Sequence, residues 1–360
     1  MAKANSSLFT LHSSLFTTKL LRWFAENGRD LPWRHTRDPY AVWLSEIILQ
    51  QTQVKQGWDY WLRFIHRWPT VEQLAAATED EVLREWQGLG YYSRARNLHY
   101  AAKQIVALGG FPNTIDAIKA LKGIGDYTAA AIGSIAFDIP VAVVDGNVFR
   151  VLARYFGIAT PIDTTAGKKE FNALAQSLLP AQPKETSAYN QAIMDFGALQ
   201  CTPKTPRCQQ CPLQESCVAL RERLVATLPV KAGKTKTRER RLIFVYVRYN
   251  GQTAIHRRGP GDIWQGLWEP LLIEDGREVE DGNCAANKFF TLHSSLFTLC
   301  QKSVRHVLTH RVLLADFYLW QPAERPTLPD GYIWIDEADI DNYAVPRLVE
   351  KLIDTIRKVC

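Results

Sequence analysis

The stretch LKGIGDYTAAAIGSIAFDIPVAVVDGNVFR, residues 121–150, decides the fold of this chain. It begins with Leu-x-Gly-x-Gly, in which Gly123 and Gly125 are spaced for a tight link between two helices, because glycine adopts the positive φ that such a link requires. The alanine-rich run Tyr127–Phe137 predicts a second helix just after the glycines. Backbone N–H groups at the start of that helix are available to bind a phosphate group. By itself, the motif is equally typical of an ordinary helical hairpin.

Length and composition limit the class of protein. The chain has 360 residues, which exceeds one ordinary core and favours two domains. No apolar run reaches the roughly 20 residues that a membrane helix needs, and the N-terminal run is polar and serine-rich, unlike a signal peptide. We therefore expect a cytoplasmic protein without a membrane contact. The net charge of +6 suits an anionic partner, although solubility alone explains it as well.

Four of the seven cysteines are crowded into one short segment, with the spacing Cys201-x6-Cys208-x2-Cys211-x5-Cys217. A disulfide scaffold would spread its cysteines through a small secreted chain, so this crowding indicates a metal site in a reducing compartment. Four thiolates can hold a [4Fe–4S] cluster or a tetrahedral zinc ion. The spacing favours the cluster over zinc.

The sequence pattern changes along the chain. Residues 1–18 are predicted to form a disordered N-terminal extension, and helical periodicity dominates residues 19–225. Residues 226–241 form a basic linker without aromatic residues. Residues 242–360 have strand-like patterns and a closing helix. The predicted fold is mostly α, with a helical domain followed by a smaller α+β domain.

Six motifs and the four cysteines together resemble the endonuclease III superfamily of base-excision DNA glycosylases, and within it the MutY adenine DNA glycosylases. The resemblance covers nearly all of residues 19–225, and its motifs come in the order of the family. They are LPWR (31–34), WLSEIILQQTQV (43–54), GLGYYSRARNL (88–98), LKGIGDYTAAAI (121–132), VDGNVFRV (144–151) and YNQAIMDFGALQC (189–201). The resemblance implies a helix-hairpin-helix DNA glycosylase domain with a [4Fe–4S] cluster loop, whose ligands are Cys201, Cys208, Cys211 and Cys217.

The resemblance also implies the catalytic residues. Glu46, in the predicted helix Tyr40–Lys55, matches the family's catalytic glutamate, which as a protonated acid can donate to N7 of adenine. Asp145 matches the catalytic aspartate, whose carboxylate stabilises the oxocarbenium-like sugar. Tyr127 and Asn147 match residues that position the sugar and these carboxyl groups. Without the resemblance, Glu46 is typical of a solvated helix face and Asp145 of a helix N-cap.

Tyr127 distinguishes two reactions within the superfamily. In the bifunctional endonuclease III branch a lysine occupies this position, attacks C1′ and nicks the strand through a Schiff base. Tyrosine here favours a monofunctional enzyme that hydrolyses only the N-glycosidic bond of adenine. The alternatives are a bifunctional glycosylase/AP lyase of the same fold and a non-catalytic iron–sulfur module that binds DNA.

The implied partner is double-stranded DNA with adenine opposite 8-oxoguanine or guanine, bound by a monomer. Adenine must be flipped out of the duplex, and wedge residues fill the space that it leaves. The residues implied to contact DNA are Arg34, Gln51, Thr52, Leu89, Tyr91, Gly123, Gly125, Thr309 and His310. Without the motif, Leu89 and Tyr91 would be read as ordinary core residues.

Residues 242–360 resemble, more faintly, the Nudix-like domain that follows the linker in MutY proteins. The segment IHRRGPGDIWQGLWEP (255–270) fits its beginning, but residues 274–281 lack the acidic array of a working Nudix hydrolase, so we expect no pyrophosphatase activity. Leu308-Thr309-His310 occupies the place of the family's Phe-Ser-His. The hydroxyl and imidazole groups are kept and the aromatic ring is lost, which bears on lesion selectivity more than on activity.

Overall fold

The computed structural model describes residues 2–233, 238–274 and 296–359. The chain forms two compact units: Met1–Ala75 with Tyr100–Lys234, and Ala76–His99 with Thr235–Cys360. The sequence suggests one boundary, in the linker. The structure differs from this prediction, because Ala76–His99 belongs to the same unit as the C-terminal residues. None of the helices described is long and apolar enough to cross a membrane.

The helices of the described residues follow the predicted helical part of the chain and its closing segment. They are α1 (Ala2–Asn27), α2 (Pro39–Leu49), α3 (Val54–Arg67), α4 (Val71–Ala76), α5 (Glu79–Trp86), α6 (Ser93–Ala107), α7 (Ile115–Lys119), α8 (Asp126–Phe137), α9 (Gly146–Phe156), α10 (Thr165–Ser177), α11 (Thr186–Leu199), α12 (Val218–Arg221) and α13 (Arg347–Val359).

The first unit is built around α8, α9 and α11, whose buried faces meet in one apolar core. Helix α1 packs on α11. It includes residues 2–18, for which the sequence predicts a disordered extension. Burial explains this difference for the end of the extension. Phe16 is 0% exposed, and its ring lies 4.7 Å from the ring of Tyr155. Apolar contact of this kind stabilises a helix that composition alone does not predict.

The predicted helical hairpin is confirmed as α7, a short link and α8. Gly123 has φ of +80°, a conformation that glycine adopts without steric cost. Gly125 is the N-cap of α8, and a Cβ added there would meet nothing within 4 Å. Gly123, Gly125 and Asp126 are all exposed, so the start of α8 is accessible to solvent. An ion pair of 2.5 Å between Lys119 and Asp126 spans the link.

The second unit contains a mixed sheet. Its strands are β1 (Arg238–Tyr249), β2 (Gln252–Arg257), β3 (Trp268–Glu269), β4 (Leu271–Glu274), β5 (Thr298–Val307), β6 (Arg311–Trp320) and β7 (Tyr332–Asp336). The main order is β3-β2-β1-β6-β5, with β4 paired to β1 and β7 paired to β2. Strands β1 and β6 are parallel, with Phe244 opposite Phe317, and the other pairs are antiparallel.

Helix α13 covers this sheet. Its buried residues Leu348, Leu352 and Ile356 belong to the same apolar core as Phe244 and Phe317. The α+β architecture predicted for residues 242–360 is confirmed. Residues 275–281, which make up most of the segment that lacks a Nudix box, lie outside the described residues.

Candidate active site

A cavity of about 520 Å³ lies in the first unit. It is lined by α2 and the loop after it, by the first turns of α8 and α9, and by α11. The four predicted catalytic residues all line this cavity: Glu46, Tyr127, Asp145 and Asn147. Residues that are up to 101 positions apart in the sequence are thus brought to one site. The arrangement places two carboxyl groups in one cavity.

Glu46 lies on α2 and is 9% exposed. Burial raises the pKa of its carboxyl group from 4.5 to about 7, because the charged form loses its hydration. A hydrogen bond from Tyr127 acts in the opposite direction, the negative charge of Asp145 raises the pKa further, and the positive charge of Arg34 lowers it. Close to neutral pH, about half of the Glu46 side chains therefore carry a proton that they can donate.

Asp145 is the N-cap of α9, and its carboxylate is held by three donors. Oδ1 accepts hydrogen bonds from the backbone N–H groups of Asn147 and Val148, each at 2.8 Å. Oδ2 accepts one from Nδ2 of Asn147, also at 2.8 Å. The capping role that the sequence suggested is thus real, and it also fixes the orientation of a carboxylate that lines the cavity.

Tyr127 lies in the first turn of α8 and contacts Glu46. Its hydroxyl group donates a hydrogen bond to Sδ of Met194 at 3.3 Å, and it interacts with the nearby Glu46 carboxyl group. Burial, followed by the negative charges of Glu46 and Asp145, raises the pKa of Tyr127 well above its ordinary value. The hydroxyl group of Tyr127 therefore stays protonated near neutral pH.

The predicted helix Tyr40–Lys55 is wrong at its centre, because α2 ends at Leu49 and α3 begins at Val54. Gln51 has φ of +56°, which is uncommon for a residue with a side chain and is typical of functional turns. This break places Gln51 and Thr52 in a loop that lines the cavity. The apolar periodicity continues through the break, so the sequence pattern did not reveal it.

The other residues implied to contact DNA are distributed over both units. Arg34 lines the first cavity, where its guanidinium group is engaged in an internal ion pair with Asp195 at 2.8 Å. Gly123 and Gly125 lie in the hairpin link and do not line that cavity. Their contacts with DNA remain predictions.

The second unit has a cavity of about 500 Å³ of its own. It is lined in part by the remaining predicted residues, Leu89, Tyr91, Thr309 and His310. Tyr91 is 45% exposed and has φ of +48°, and its hydroxyl group is hydrogen-bonded to Oγ1 of Thr309. Leu89 is 9% exposed. Leu308 is half-buried against the core of this unit, where an aliphatic side chain fits.

The four crowded cysteines follow α11, in loops and short 3₁₀ turns. Their thiols are free and half-buried. Burial, with a smaller contribution from the neighbouring sulfur atoms of Cys201, Cys217 and Cys208, raises the pKa of Cys211 to about 12, so the four groups lie near one another. Among the described residues, no three His, Cys, Asp or Glu side chains are close enough to hold one metal ion. Cysteine thiolates are the usual ligands of iron–sulfur clusters, so the chemistry of these four side chains fits such a cluster.

Three further polar residues had no role assigned from the sequence: Arg29 and Gln191 in the cavity wall, and Arg150, which contacts Asn147. Arg29 and Gln191 line the cavity directly. Nη2 of Arg150 donates to Oδ1 of Asn147 at 2.8 Å, and its Nε donates to the carbonyl oxygen of Cys201 at 2.7 Å. In the sequence, Arg150 is a charged residue next to the apolar residues Val148, Phe149 and Val151, and this position could have indicated a buried polar partner.

Asp195 also had no role assigned, and its side chain is fully buried behind the cavity wall. It is the acidic residue of the apolar α11 segment AIMDFGAL, residues 192–199. A charge in such a helix face indicates a buried partner, but the pattern does not say which one.

Comparisons with known proteins follow the same segments. Residues 44–180 match the HhH-GPD superfamily of base excision DNA repair proteins, and residues 201–217 match the iron–sulfur binding domain of endonuclease III. Residues 242–355 match the NUDIX domain. The cysteine segment is thus an iron–sulfur binding segment.

Relatives and solved structures agree with these matches. The adenine DNA glycosylase of Buchnera aphidicola subsp. Schizaphis graminum is 31% identical over 350 residues, which are 95% of this chain and 99% of that protein. The adenine DNA glycosylase of Mus musculus is 45% identical over 216 residues, 57% of this chain and 41% of that protein.

Among solved structures, a thermostable thymine-DNA glycosylase has a TM-score of 0.56 at 30% identity, covering 59% of this chain and 99% of that one. A trapped endonuclease III–DNA covalent intermediate shares the fold, with a TM-score of 0.50 at 22% identity over 58% of this chain and 95% of that one. The chain therefore belongs to the adenine DNA glycosylase family, the DNA-binding glycosylases of base excision repair.

Proposed function

We propose that this chain hydrolyses the N-glycosidic bond of adenine that is mispaired with 8-oxoguanine or guanine in double-stranded DNA, and leaves an abasic site. The observation that carries the proposal is the shared cavity of Glu46 and Asp145. Hydrolysis of a glycosidic bond needs one carboxyl group that stays protonated and one that stays ionised. The buried Glu46 and the hydrogen-bonded Asp145 have the two environments that this division requires.

In the first step, the Glu46 carboxyl group donates its proton to N7 of a flipped adenine. The protonated base is a better leaving group, because the electron pair of the C1′–N9 bond passes to a ring that no longer becomes an anion. The pKa of about 7 suits this task, since a general acid works best when its pKa is near the pH of the reaction. Tyr127 presents a neutral hydroxyl group beside this carboxyl group and would help to position it.

In the second step, the Asp145 carboxylate stabilises the positive charge that develops on the sugar as the base leaves. Its three donors prevent it from turning away from the cavity. Water then adds to C1′ and releases a proton, which returns the pair of carboxyl groups to the starting state. The products are free adenine and an abasic site.

We propose that the reaction stops at base removal. Among the described residues, no lysine lines the cavity, and Tyr127 stays neutral. A Schiff base with C1′ requires an amine, so strand cleavage by that route is not expected. The bifunctional alternative is therefore disfavoured.

We propose that Cys201, Cys208, Cys211 and Cys217 hold a [4Fe–4S] cluster. The four thiols lie near one another, and their segment matches the iron–sulfur binding domain of endonuclease III. A tetrahedral zinc ion would draw sulfur atoms to about 2.3 Å from one centre, whereas a cluster spreads its ligands over several iron atoms. The cluster would contribute structure to the loop that follows α11, and it also suits a cytoplasmic protein.

The proposed function also includes a domain organisation and the residues that recognise the base opposite adenine. We propose a glycosylase domain over residues 19–225, a linker over 226–241 and a Nudix-like lesion-recognition domain over 242–360, acting as a monomer. The hydrogen bond between Tyr91 and Thr309 supports a common role for these two side chains at the base opposite adenine. The open N-terminus of α8 supports phosphate binding by Gly123 and Gly125.

The test is a single-turnover glycosylase assay on duplexes with adenine opposite 8-oxoguanine, guanine, cytosine and thymine, with and without hot alkali. We expect product only after alkali, and only opposite the two purine partners. Glu46→Gln should abolish base release and leave mispair binding largely intact. Glu26→Gln, which removes the same charge from an exposed position on α1, is the matched control and should keep full activity. Base release by Glu46→Gln at the wild-type rate would refute the proposal.

A further inference from the structure

Behind the wall of the active-site cavity lies a buried carboxylate that binds two arginine side chains. Asp195 is on α11, and its side chain is 0% exposed. Arg34 donates Nη1 to Oδ2 and Nη2 to Oδ1, both at 2.8 Å. Arg29 donates Nε to Oδ1 at 2.9 Å and its backbone N–H to Oδ2 at 2.9 Å, and its Nη2 also contacts Oδ1. Both oxygen atoms of Asp195 are thus fully used by arginine donors.

These two arginines face the reaction site. Arg29 and Arg34 both line the cavity that contains Glu46, whereas Asp195 does not line it. Their side chains are mostly buried, at 28% and 14% exposure, and Nη1 of Arg34 also donates to the backbone carbonyl of Arg29 at 2.8 Å. A rigid pair of guanidinium groups therefore forms part of the cavity wall. Two buried positive charges there require a negative partner.

We propose that Asp195 is a positioning residue for base removal: its carboxylate holds the guanidinium groups of Arg29 and Arg34 in the cavity wall and offsets their positive charge beside Glu46. This inference rests on the proposed role of Glu46 as the acid. Asp195 itself does not touch the reacting atoms. It acts through the two arginines.

The effect of Asp195 on the pKa of Glu46 depends on the other charged groups that face Glu46. Tyr127 on α8 and Asp145 at the start of α9 face Glu46, and Arg34 faces it from the segment before α2. Arg34 already lowers the pKa of Glu46. Burial opposes the charge of Asp195, but the hydrogen bonds from the two arginines outweigh burial and keep its pKa below the ordinary range. Asp195 is therefore an anion wherever the enzyme works.

Removal of this anion should make Glu46 a stronger acid. In Asp195→Asn the wall keeps two positive charges and loses the negative one, so the ionised form of Glu46 is favoured. Asp195 has the same charge sign as ionised Glu46, so its loss should lower the pKa of Glu46, by about 1. The fraction of protonated Glu46 would then fall about tenfold at pH 8 and only about twofold at pH 6. A merely structural role would lower the rate equally at every pH.

The experiment is the pH profile of single-turnover base release, measured on the full-length protein with adenine opposite 8-oxoguanine. For Asp195→Asn we expect the fall at high pH to begin about one pH unit lower than in the wild type. Asp195→Glu keeps the charge and should restore the profile. Arg34→Gln removes one cation and should move the fall in the rate of base release to higher pH. This second variant tests the positioning role even if Asp195→Asn folds poorly. Asp330→Asn, exposed in the second unit, should behave as the wild type.

The outcomes separate this inference from the proposed function. If Glu46→Gln is active or the wild type shows no fall at high pH, the role of Glu46 itself is refuted. If Glu46 behaves as proposed but Asp195→Asn keeps the wild-type profile, or loses rate equally at all pH values, the positioning role of Asp195 is refuted. A shift of Arg34→Gln in the same direction as Asp195→Asn would also contradict it.

Discussion

Replacement of Glu46 by glutamine should abolish the activity and also remove a loss of stability that the wild type undergoes as the pH rises. Glu46 is buried, and its pKa in the folded protein is about 7, against an ordinary value of 4.5. The folded state therefore binds more protons than the unfolded state between these two values. Stability must fall as the pH rises through this window, because ionisation is easier in the unfolded chain. Glutamine cannot ionise, so the variant lacks this loss.

The size of the effect follows from the two pKa values. Integration of proton binding from pH 5 to pH 8 gives a loss of about 2.5 kcal/mol in the free energy of unfolding of the wild type. Glu46→Gln should avoid this loss, whatever its constant effect on packing. For a unit of this size, about 2.5 kcal/mol corresponds to roughly 5–10 °C in the unfolding midpoint. The difference between variant and wild type should therefore grow by that amount from pH 5 to pH 8.

The assay is thermal and urea unfolding of the loaded protein at pH 5 and pH 8. Visible absorption of the iron–sulfur site reports on the first unit, to which all four cysteines belong. Glu26→Gln, exposed on α1, should show no such pH-dependent gain. An equal difference between Glu46→Gln and wild type at both pH values would refute the assignment of a raised pKa to Glu46.

Two more predictions concern the reaction type and the metal site. The wild type should give little covalent adduct with DNA under borohydride. Tyr127→Lys should give a trapped adduct, because an amine would then lie beside Glu46 and Asp145. Absence of the adduct in that variant would show that the position is out of reach of C1′. The purified wild type should be brown, with broad visible absorption. Cys211→Ser should lose this absorption and unfold at a lower temperature. A colourless wild type that contains zinc would refute the cluster.

Several features of the site could be predicted from the sequence because they depend on neighbours in the chain. The glycine spacing from Gly123 to Gly125 specifies a helical link, and the structure has it. Asp145 caps α9 as its position before a helix suggests. The roles of Glu46 and Tyr127 required the motif resemblance, since periodicity alone assigns Glu46 to a solvated face. Its burial depends on which helices cover α2, and no local pattern contains that information.

The sequence by itself determined the helical link, the cysteine spacing and the cap of α9 by Asp145. These are properties of residue type and local order along the chain. Only the tertiary structure decided that α2 breaks before Gln51 and that Asp195 meets Arg34 across 161 positions. The reason is physical: backbone strain at a turn and the pairing of buried charges depend on distance in space, and residues far apart in the sequence set that distance.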